Sequence, residues 1–476
     1  MSTEPKSTAA ERVGDSDEFL RVEMRGLEPV PDGDRHGHPR ELFFIWAAAL
    51  ADFFSILAGA LLVSVIGLGV WDAIAVLVLG ALAGAGFLGA LSVTGVRTGV
   101  PQIVFSRLAF GRRGAAIGGI LTALIPVGFF SYDCAIAVTT AKALPVFGAG
   151  PPVWAVALML MAMVLGCVLV AVFGHRTITL VQTVQAPTFI ALAVLVALVL
   201  APRFHPGLTS SLAPGPHLAA ALLGFTATFA LIVSWATYAA DYSRYLPRRT
   251  GATSVALWSG GGSLVTLVLC GVLGVLVQSI DPRNQDLAGL IVRNLPTWLA
   301  WVFVAFIVIA EMSSNYLNVY TGALSALASG VRMRRWRAAL AFGVVGGGIA
   351  ALVLVNADRF ESVYLSFLTV TYVWFPAWCV VVLVDFWRRR APIDPEVLAG
   401  SRVSELPAWR CPALATFALG TVATLLFFQE PGFYQGVLAR VLFQGQPADI
   451  SPFIGVGVSL ALFALFARRR SDQLTT

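Results

Sequence analysis

Apolar residues run along this chain in long blocks, separated by short stretches rich in Arg, Gly and Pro. A helix needs about 20 apolar residues to cross the hydrocarbon core of a bilayer. Twelve blocks reach that length: 42–66, 70–95, 114–143, 152–174, 178–201, 217–241, 253–280, 297–329, 336–356, 360–386, 411–429 and 450–467. The pattern predicts an all-α integral membrane protein of twelve transmembrane helices.

Composition agrees. Of 476 residues, 58% are hydrophobic and 12% charged, against about 25% charged in soluble domains. A soluble enzyme is excluded on that ground. The net charge of +6 does not imply nucleic acid, because the Arg residues lie between apolar blocks rather than in a patch. The five Cys are scattered without CxxC spacing and read as small hydrophobes. The chain has no HExxH, GxSxG or P-loop Lys, so no catalytic constellation is expected.

Basic residues orient the spans, since Lys and Arg favour cytoplasmic loops. With the N-terminus inside, Lys142, Arg203, Arg283, Arg293, Arg359 and Arg440 are the only ones outside, of 32. Both termini are then cytoplasmic, and the chain is multi-pass in the plasma (cytoplasmic) membrane. Residues 1–41 are expected to be a disordered cytoplasmic tail. Residues 387–410 form a cytoplasmic loop, 411–467 the last two spans and 468–476 a short cytoplasmic tail. Trp71, Trp154, Trp298, Trp301, Trp374 and Trp387 lie near span ends and read as an interfacial belt.

Polar groups at depth are patterned. The first helix carries Asp52, and the sixth carries Ser234 and Trp235. The third carries Asp133, and the eighth Glu311, Ser313, Asn315 and Asn318. Interrupted helices at corresponding positions bracket a midplane site in transporters built as inverted repeats. Pairing one with six and three with eight is what a five-plus-five repeat gives: 42–201, then 217–386, then two extra helices.

A charge at the bilayer centre costs about 2.5–3.5 kcal/mol on insertion scales, so such groups face a cavity or a partner. Glu311, Asn315 and Asn318 share one helix face at i, i+4 and i+7. Asn amides bond the edge of a heterocycle. Asp133 lies one turn after Phe129, pairing a stacking ring with an acceptor for N–H groups. Lys142 is too far along the helix to pair with Asp133, roughly 13 Å away. Asp52 and Glu311 are candidates to carry a coupling proton. Asp241 and Arg244 are spaced to pair at a cytoplasmic corner or gate, where Pro247 stops the helix.

Four stretches resemble the nucleobase:cation symporter family, purine–cytosine permease branch. They are WAAALADFFSILAGAL (Trp46–Leu61), FSRLAFGRRG (Phe105–Gly114), DYSRYLPRRT (Asp241–Thr250) and SSNYLNVYTGALS (Ser313–Ser325). The resemblance implies a leucine-transporter-like fold and import of nucleobases or related heterocycles with a proton or sodium ion. It implies ligand contacts at Trp235 and Asn318, with Asn315 beside them. Phe129 stands where the family has Trp, and Asp133 where it has an amide. Asp for an amide favours ligands rich in N–H donors or carrying positive charge. Of the Ser/Thr pair that sodium-coupled relatives place on helix eight, Ser313 alone remains.

The chain is therefore expected to be a secondary active importer of a purine or pyrimidine nucleobase or related heterocycle, proton-coupled, working by alternating access. Sodium coupling and an amino-acid or amine substrate are the alternatives. No cofactor, metal or protein partner is expected. The partners are a small heterocyclic substrate and the lipid bilayer.

Overall fold

The computed structural model describes residues 19–142, 151–356, 371–389, 392–430 and 434–472. The first apolar block is a bent pair, α1 (Arg40–Ala49) and α2 (Phe53–Ser64), turned by 61°. Then follow α3 (Val70–Thr98), α4 (Ala115–Lys142), α5 (Val153–Phe173), α6 (His175–Leu200) and α7 (Pro214–Ala236). After α7 come α8 (Ala239–Ser243), α9 (Ala252–Gln278), α10 (Leu287–Asn294), α11 (Thr297–Ala328) and α12 (Arg335–Val355). Among the described residues, eight helices are long and apolar enough to cross a membrane, and the bent pair makes a ninth. The last helices are α13 (Phe375–Arg388), α14 (Cys411–Phe427) and α15 (Ser451–Asp472). The first half of the expected span 360–386 falls outside the described residues. The apolar parts of α14 and α15 are shorter than the other spans.

Among the described residues two spans are broken, the first and the sixth, and neither break contains Gly or Pro. At the first, Asp52 adopts an extended backbone and caps α2, accepting the Ser55 N–H at 2.8 Å. The first N–H groups of a helix lack intrahelical partners. In an apolar interior they need an acceptor such as Asp, which is a favoured N-cap. The sixth block, expected as one helix over 217–241, stops at Ala236, turns at Thr237–Tyr238 and resumes as α8. The third and eighth spans, whose polar groups suggested the same, run unbroken as α4 and α11, with Pro126 inside α4.

The helices pack in two groups. The α1/α2 pair, α3, the α7/α8 pair and α9 pack among themselves, and α4, α5, α11 and α12 do likewise. Helix α6 leans on both groups, while α14 and α15 pack on α13 at the side. Without water there is little hydrophobic drive between spans, so close approach through small residues holds them. Gly59 of α2 and Gly274 of α9 show this: a Cβ on either would overlap the other helix's backbone carbonyl, at Gly271 and Ile56.

Three expectations are corrected. Residues 19–41, placed in a disordered tail, pack against the bundle, with Glu23 and Arg35 buried. Their order comes from partners far along the chain rather than from local pattern: the Val30 N–H bonds the Gly99 carbonyl, and Arg35 the Val96 carbonyl. Trp374 is buried against Phe375, Trp378 and Phe417 instead of joining a belt. Asp241 and Arg244 do not pair with each other; each has its own partner, described below.

Between α14 and α15 the chain forms a hairpin, β1 (Gln429–Glu430) against β2 (Tyr434–Gln435). Asp449 accepts the Ser451 and Gln429 N–H groups, and its own carbonyl accepts from Thr226 of α7. Burial, and then the negative charge of Asp449, push the Glu430 carboxyl up to about 7. Burial pushes Asp449 up to about 6. Both acids are raised by folding. Their contribution to the hairpin's stability is therefore full below about pH 4 and lost as pH rises through 6 to 7. Amide exchange over 434–450, corrected for its intrinsic rate, is expected to quicken from pH 5 to pH 8. Glu430→Gln is expected to remove most of that rise.

Candidate functional site

The two breaks lie against α4 and α11, and a cavity opens where they meet. Its water-accessible space is about 30 Å³, more than the ~10–15 Å³ that one water needs. The first break contributes Asp52, Phe54 and Ser55 to the wall, and α4 contributes Phe129 and Asp133. The second break contributes Ser234, Trp235 and Tyr238. Ser314 and Asn318 come from α11, and Tyr372 from the turn before α13. Five sequence candidates thus share one cavity: Asp52, Phe129, Asp133, Trp235 and Asn318.

The aromatic wall is built in two halves. The Phe129 ring stacks on Tyr372, 5.8 Å between centroids and 23° apart, and meets Phe54 edge-on at 6.4 Å. Trp235 packs edge-on against Trp46 and Tyr238, each at 6.1 Å. One face of Trp235 is thereby fixed by neighbours on α1 and its own break, while the residue stays half-buried at the cavity.

The polar floor is a small network. Asp133 Oδ2 accepts from the Ser314 hydroxyl at 3.2 Å and from Asn318 Nδ2 at 3.4 Å. Among the described residues Asp133 Oδ1 makes no hydrogen bond, so it is the oxygen left for a ligand. Asn318 Nδ2 also donates to Asn315 Oδ1 at 3.0 Å, leaving the Asn318 oxygen free to accept. The floor therefore offers acceptors to a flat ring's N–H edge.

Three candidates lie behind the cavity wall rather than on it. Asn315 turns between helices, donating to the Phe130 carbonyl at 3.3 Å and to Cys134 Sγ at 3.5 Å. It fastens α11 to α4. Glu311 Oε1 accepts the Phe53 N–H at 2.8 Å, while its buried Oε2 has no partner among the described residues. Ser313 Oγ is likewise buried and unpartnered. Its carbonyl accepts from Gln182 Nε2 of α6 at 3.3 Å, and Gln182 Oε1 has no partner either.

Glu311 thus ties α11 of one helix group to the start of α2 in the other. A carboxylate at a helix N-terminus makes a charge-assisted bond aligned with the helix dipole. Asp52 and Glu311 together take the Ser55 and Phe53 N–H groups. Three buried carboxylates, counting Asp133, cluster around one break. Ionising all of them away from water is costly unless a positive charge joins them.

At the corner, Asp241 accepts the Gln102 N–H at 2.8 Å, and Gln102 Oε1 in return accepts the Ala240 N–H at 3.0 Å. Arg244 donates to the Gly26 carbonyl at 2.9 Å and to the Tyr245 and Tyr320 hydroxyls, and pairs with Glu23 at 3.5 Å. Sequence reasoning missed Phe54, Gln182, Tyr372 and Glu23. A Gln inside an apolar block was a readable signal for Gln182. The others carry none beyond residue type.

Comparison with known proteins adds the following. Residues 29–445 match the family model described as permease for cytosine/purines, uracil, thiamine, allantoin. The chain is 27% identical to the putative purine-cytosine permease YxlA of Bacillus subtilis over 461 residues, covering 95% of this chain and 97% of that one. It is 25% identical to the purine-cytosine permease fcyB of Emericella nidulans, covering 88% and 84%. In structure it resembles Mhp1, a nucleobase-cation-symport-1 family transporter in a closed conformation with bromovinylhydantoin bound. The TM-score is 0.72 at 15% identity, over 95% of this chain and 96% of that one. At that identity the likeness shows the fold alone.

Proposed function

The chain belongs to the family of permeases for cytosine/purines, uracil, thiamine and allantoin, and on that footing we propose that it imports a nucleobase or related heterocycle by proton-coupled alternating access. The family is one of permeases, not enzymes. The proposal is carried by one observation: both helix breaks open onto a single cavity that pairs aromatic faces with hydrogen-bond acceptors. Trp235 and Phe129 take the ring's faces, with Tyr372 beside Phe129. Asp133 Oδ1 and the Asn318 oxygen accept from its N–H edge.

Twelve spans, arranged as a five-plus-five inverted repeat with two extra helices, complete the reading. Both termini lie in the cytoplasm, on the side that the Lys and Arg distribution favours. The two helix groups are the bodies that rock about the cavity. Glu311 carries the coupling proton, because its bond to Phe53 spans those bodies and changes strength with its charge. Sodium needs several oxygen ligands, and among the described residues Glu311 Oε2, Ser313 Oγ, Gln182 Oε1 and Ser55 Oγ are buried without a partner. Sodium is therefore the competing ion.

The test is uptake of radiolabelled adenine, guanine, hypoxanthine, cytosine, uracil, allantoin and thiamine in cells lacking their own carriers. Uptake of at least one, abolished by a protonophore and indifferent to sodium, is expected. Uptake of none removes the substrate class. Uptake that needs sodium and ignores the protonophore transfers the coupling role to sodium. The carboxylates Asp52 and Asp133 on the cavity wall favour one second reading, a cationic amine substrate. Competition of uptake by amines rather than by bases would select it.

A further inference from the structure

Glu23 lies away from the cavity, yet five groups from four parts of the fold converge on it. Its carboxylate accepts the His175 N–H at the start of α6, at 2.9 Å. It also accepts from the hydroxyls of Tyr245, just beyond α8, and Tyr320 of α11. Arg244 stands 3.5 Å from it and Arg335, the first residue of α12, 3.9 Å. Arg335 in addition donates to the Glu23 backbone carbonyl at 2.9 Å. All of these side chains are buried.

The partners divide between the two helix groups. Arg244 and Tyr245 follow α8 in the first group, and Tyr320 and Arg335 belong to the second. The later part of the segment is anchored to the first group: Val30 on Gly99, Arg35 on Val96, and the His36 N–H on the Tyr245 carbonyl at 2.7 Å. Glu23 thus lies in a strap whose later part, from Val30 to His36, is fixed to one body and whose earlier part reaches across to the other, with the Leu20 N–H bonded to Thr177 of α6 at 3.1 Å. Gly174 makes room for it, with φ +90°; a Cβ there would overlap the Glu23 carboxylate.

The strap sits directly beneath the cavity. Tyr320 is two residues beyond Asn318 along α11, and Arg244 six beyond Tyr238. Between strap and cavity, the Tyr242 ring packs on Tyr320 at 5.7 Å, and its hydroxyl donates to the Leu317 carbonyl at 3.4 Å. Ties of this density on one end of the cavity close that end.

We propose that residues 19–38 are a cytoplasmic latch, in which the Glu23 carboxylate holds the two helix groups together below the cavity and must let go before a ligand can leave inward. The proposal rests on the transport reading for its purpose, but its mechanical part stands alone. A carboxylate that accepts from two hydroxyls and a backbone N–H, with two guanidinium groups 3.5 and 3.9 Å away, is a strong tie when closed. It is also a single group, so its release loosens both bodies at one point, with hydrogen bonds such as Arg244–Tyr320 and Tyr242–Leu317 left to part with it.

The test is hydrogen–deuterium exchange on the full chain in lipid nanodiscs, wild type against Glu23→Gln, which keeps shape and removes charge. Loss of charge-assisted bonds is expected to speed exchange about tenfold or more over residues 19–30. The same gain is expected at 239–246, at the 320–328 end of α11 and at the start of α12, with α10 unchanged. Faster exchange throughout the chain, with a lower melting temperature, would make Glu23 ordinary packing and overturn the latch. No change would overturn it as well. Should the variant fail to fold, the wild type decides. A latch requires 19–30 and 239–246 to share one opening rate, and unrelated rates refute it. None of these readouts depends on uptake, so a chain that transports no base would sink the proposed function and leave the latch to be judged by itself.

Discussion

Asp133→Asn is expected to weaken uptake of N–H-rich bases such as adenine and cytosine about tenfold or more, and to change which ligands bind. Hydrogen bonds to charged groups contribute about 1.5–3 kcal/mol, and each 1.4 kcal/mol is tenfold. In the wild type Asp133 lines the cavity with Oδ2 held by Ser314 and Asn318, while Oδ1 makes no hydrogen bond among the described residues. Asn keeps one acceptor for those two donors. Its amide nitrogen then takes the place of Oδ1, so an acceptor on the cavity wall becomes a donor. Ligands that present a carbonyl or ring nitrogen at that edge gain what N–H ligands lose. A thermal-shift screen of purified protein reads this directly, because a ligand that binds only the folded state raises apparent stability. The unliganded melting temperature serves as the control for damage. An unchanged ligand profile would take Asp133 out of the site.

Much of this cavity is readable in the sequence because a bilayer makes buried polarity expensive. Asp52, Asp133 and Asn318 stand out in apolar blocks for that reason, and all three reach the cavity wall. Helical spacing carries the inference further only to a face, not to a neighbour. Asn315 and Asn318 are three residues apart on one stripe, yet Asn315 points into the seam with α4 while Asn318 meets the cavity. Glu311 shares that stripe and is turned to the first break instead. What separates them is the shape of the adjoining helices, which no local pattern contains.

The breaks were half legible. Asp52 was read as a buried charge, whereas its conformation makes it the N-cap of α2, a role that Asp fills commonly. Pro126 and Pro187, the residues most often associated with kinks, sit inside continuous helices. Tyr372 was silent because an aromatic residue in an apolar run is ordinary. Glu23 was misread for the opposite reason. Its segment has the composition of a disordered tail, and its order depends on Arg244, Tyr320 and Arg335, which lie hundreds of residues away.

Glu311→Gln is expected to separate binding from accumulation. The glutamine carbonyl can still accept the Phe53 N–H, so the helix start stays satisfied and the cavity keeps its shape. What disappears is the charge, and with it the difference between a proton-loaded and a proton-free state. When ionised, Glu311 ties α11 to α2 by a charge-assisted bond along the helix dipole. On the proposed proton coupling, protonation weakens that tie between the two helix groups, so loading the proton would ease their movement. A permanently neutral side chain fixes the weak form. Exchange of labelled base across the membrane is then expected to persist at a near wild-type rate, while accumulation above equilibrium falls to none and the protonophore loses its effect. Glu311→Ala behaves differently, because it leaves a buried N–H without an acceptor. That costs about 1–3 kcal/mol and should lower the melting temperature, which Glu311→Gln should not. Retained protonophore-sensitive accumulation in Glu311→Gln would move the proton to Asp52 or Asp133. Accumulation lost together with exchange would place Glu311 in ligand binding instead.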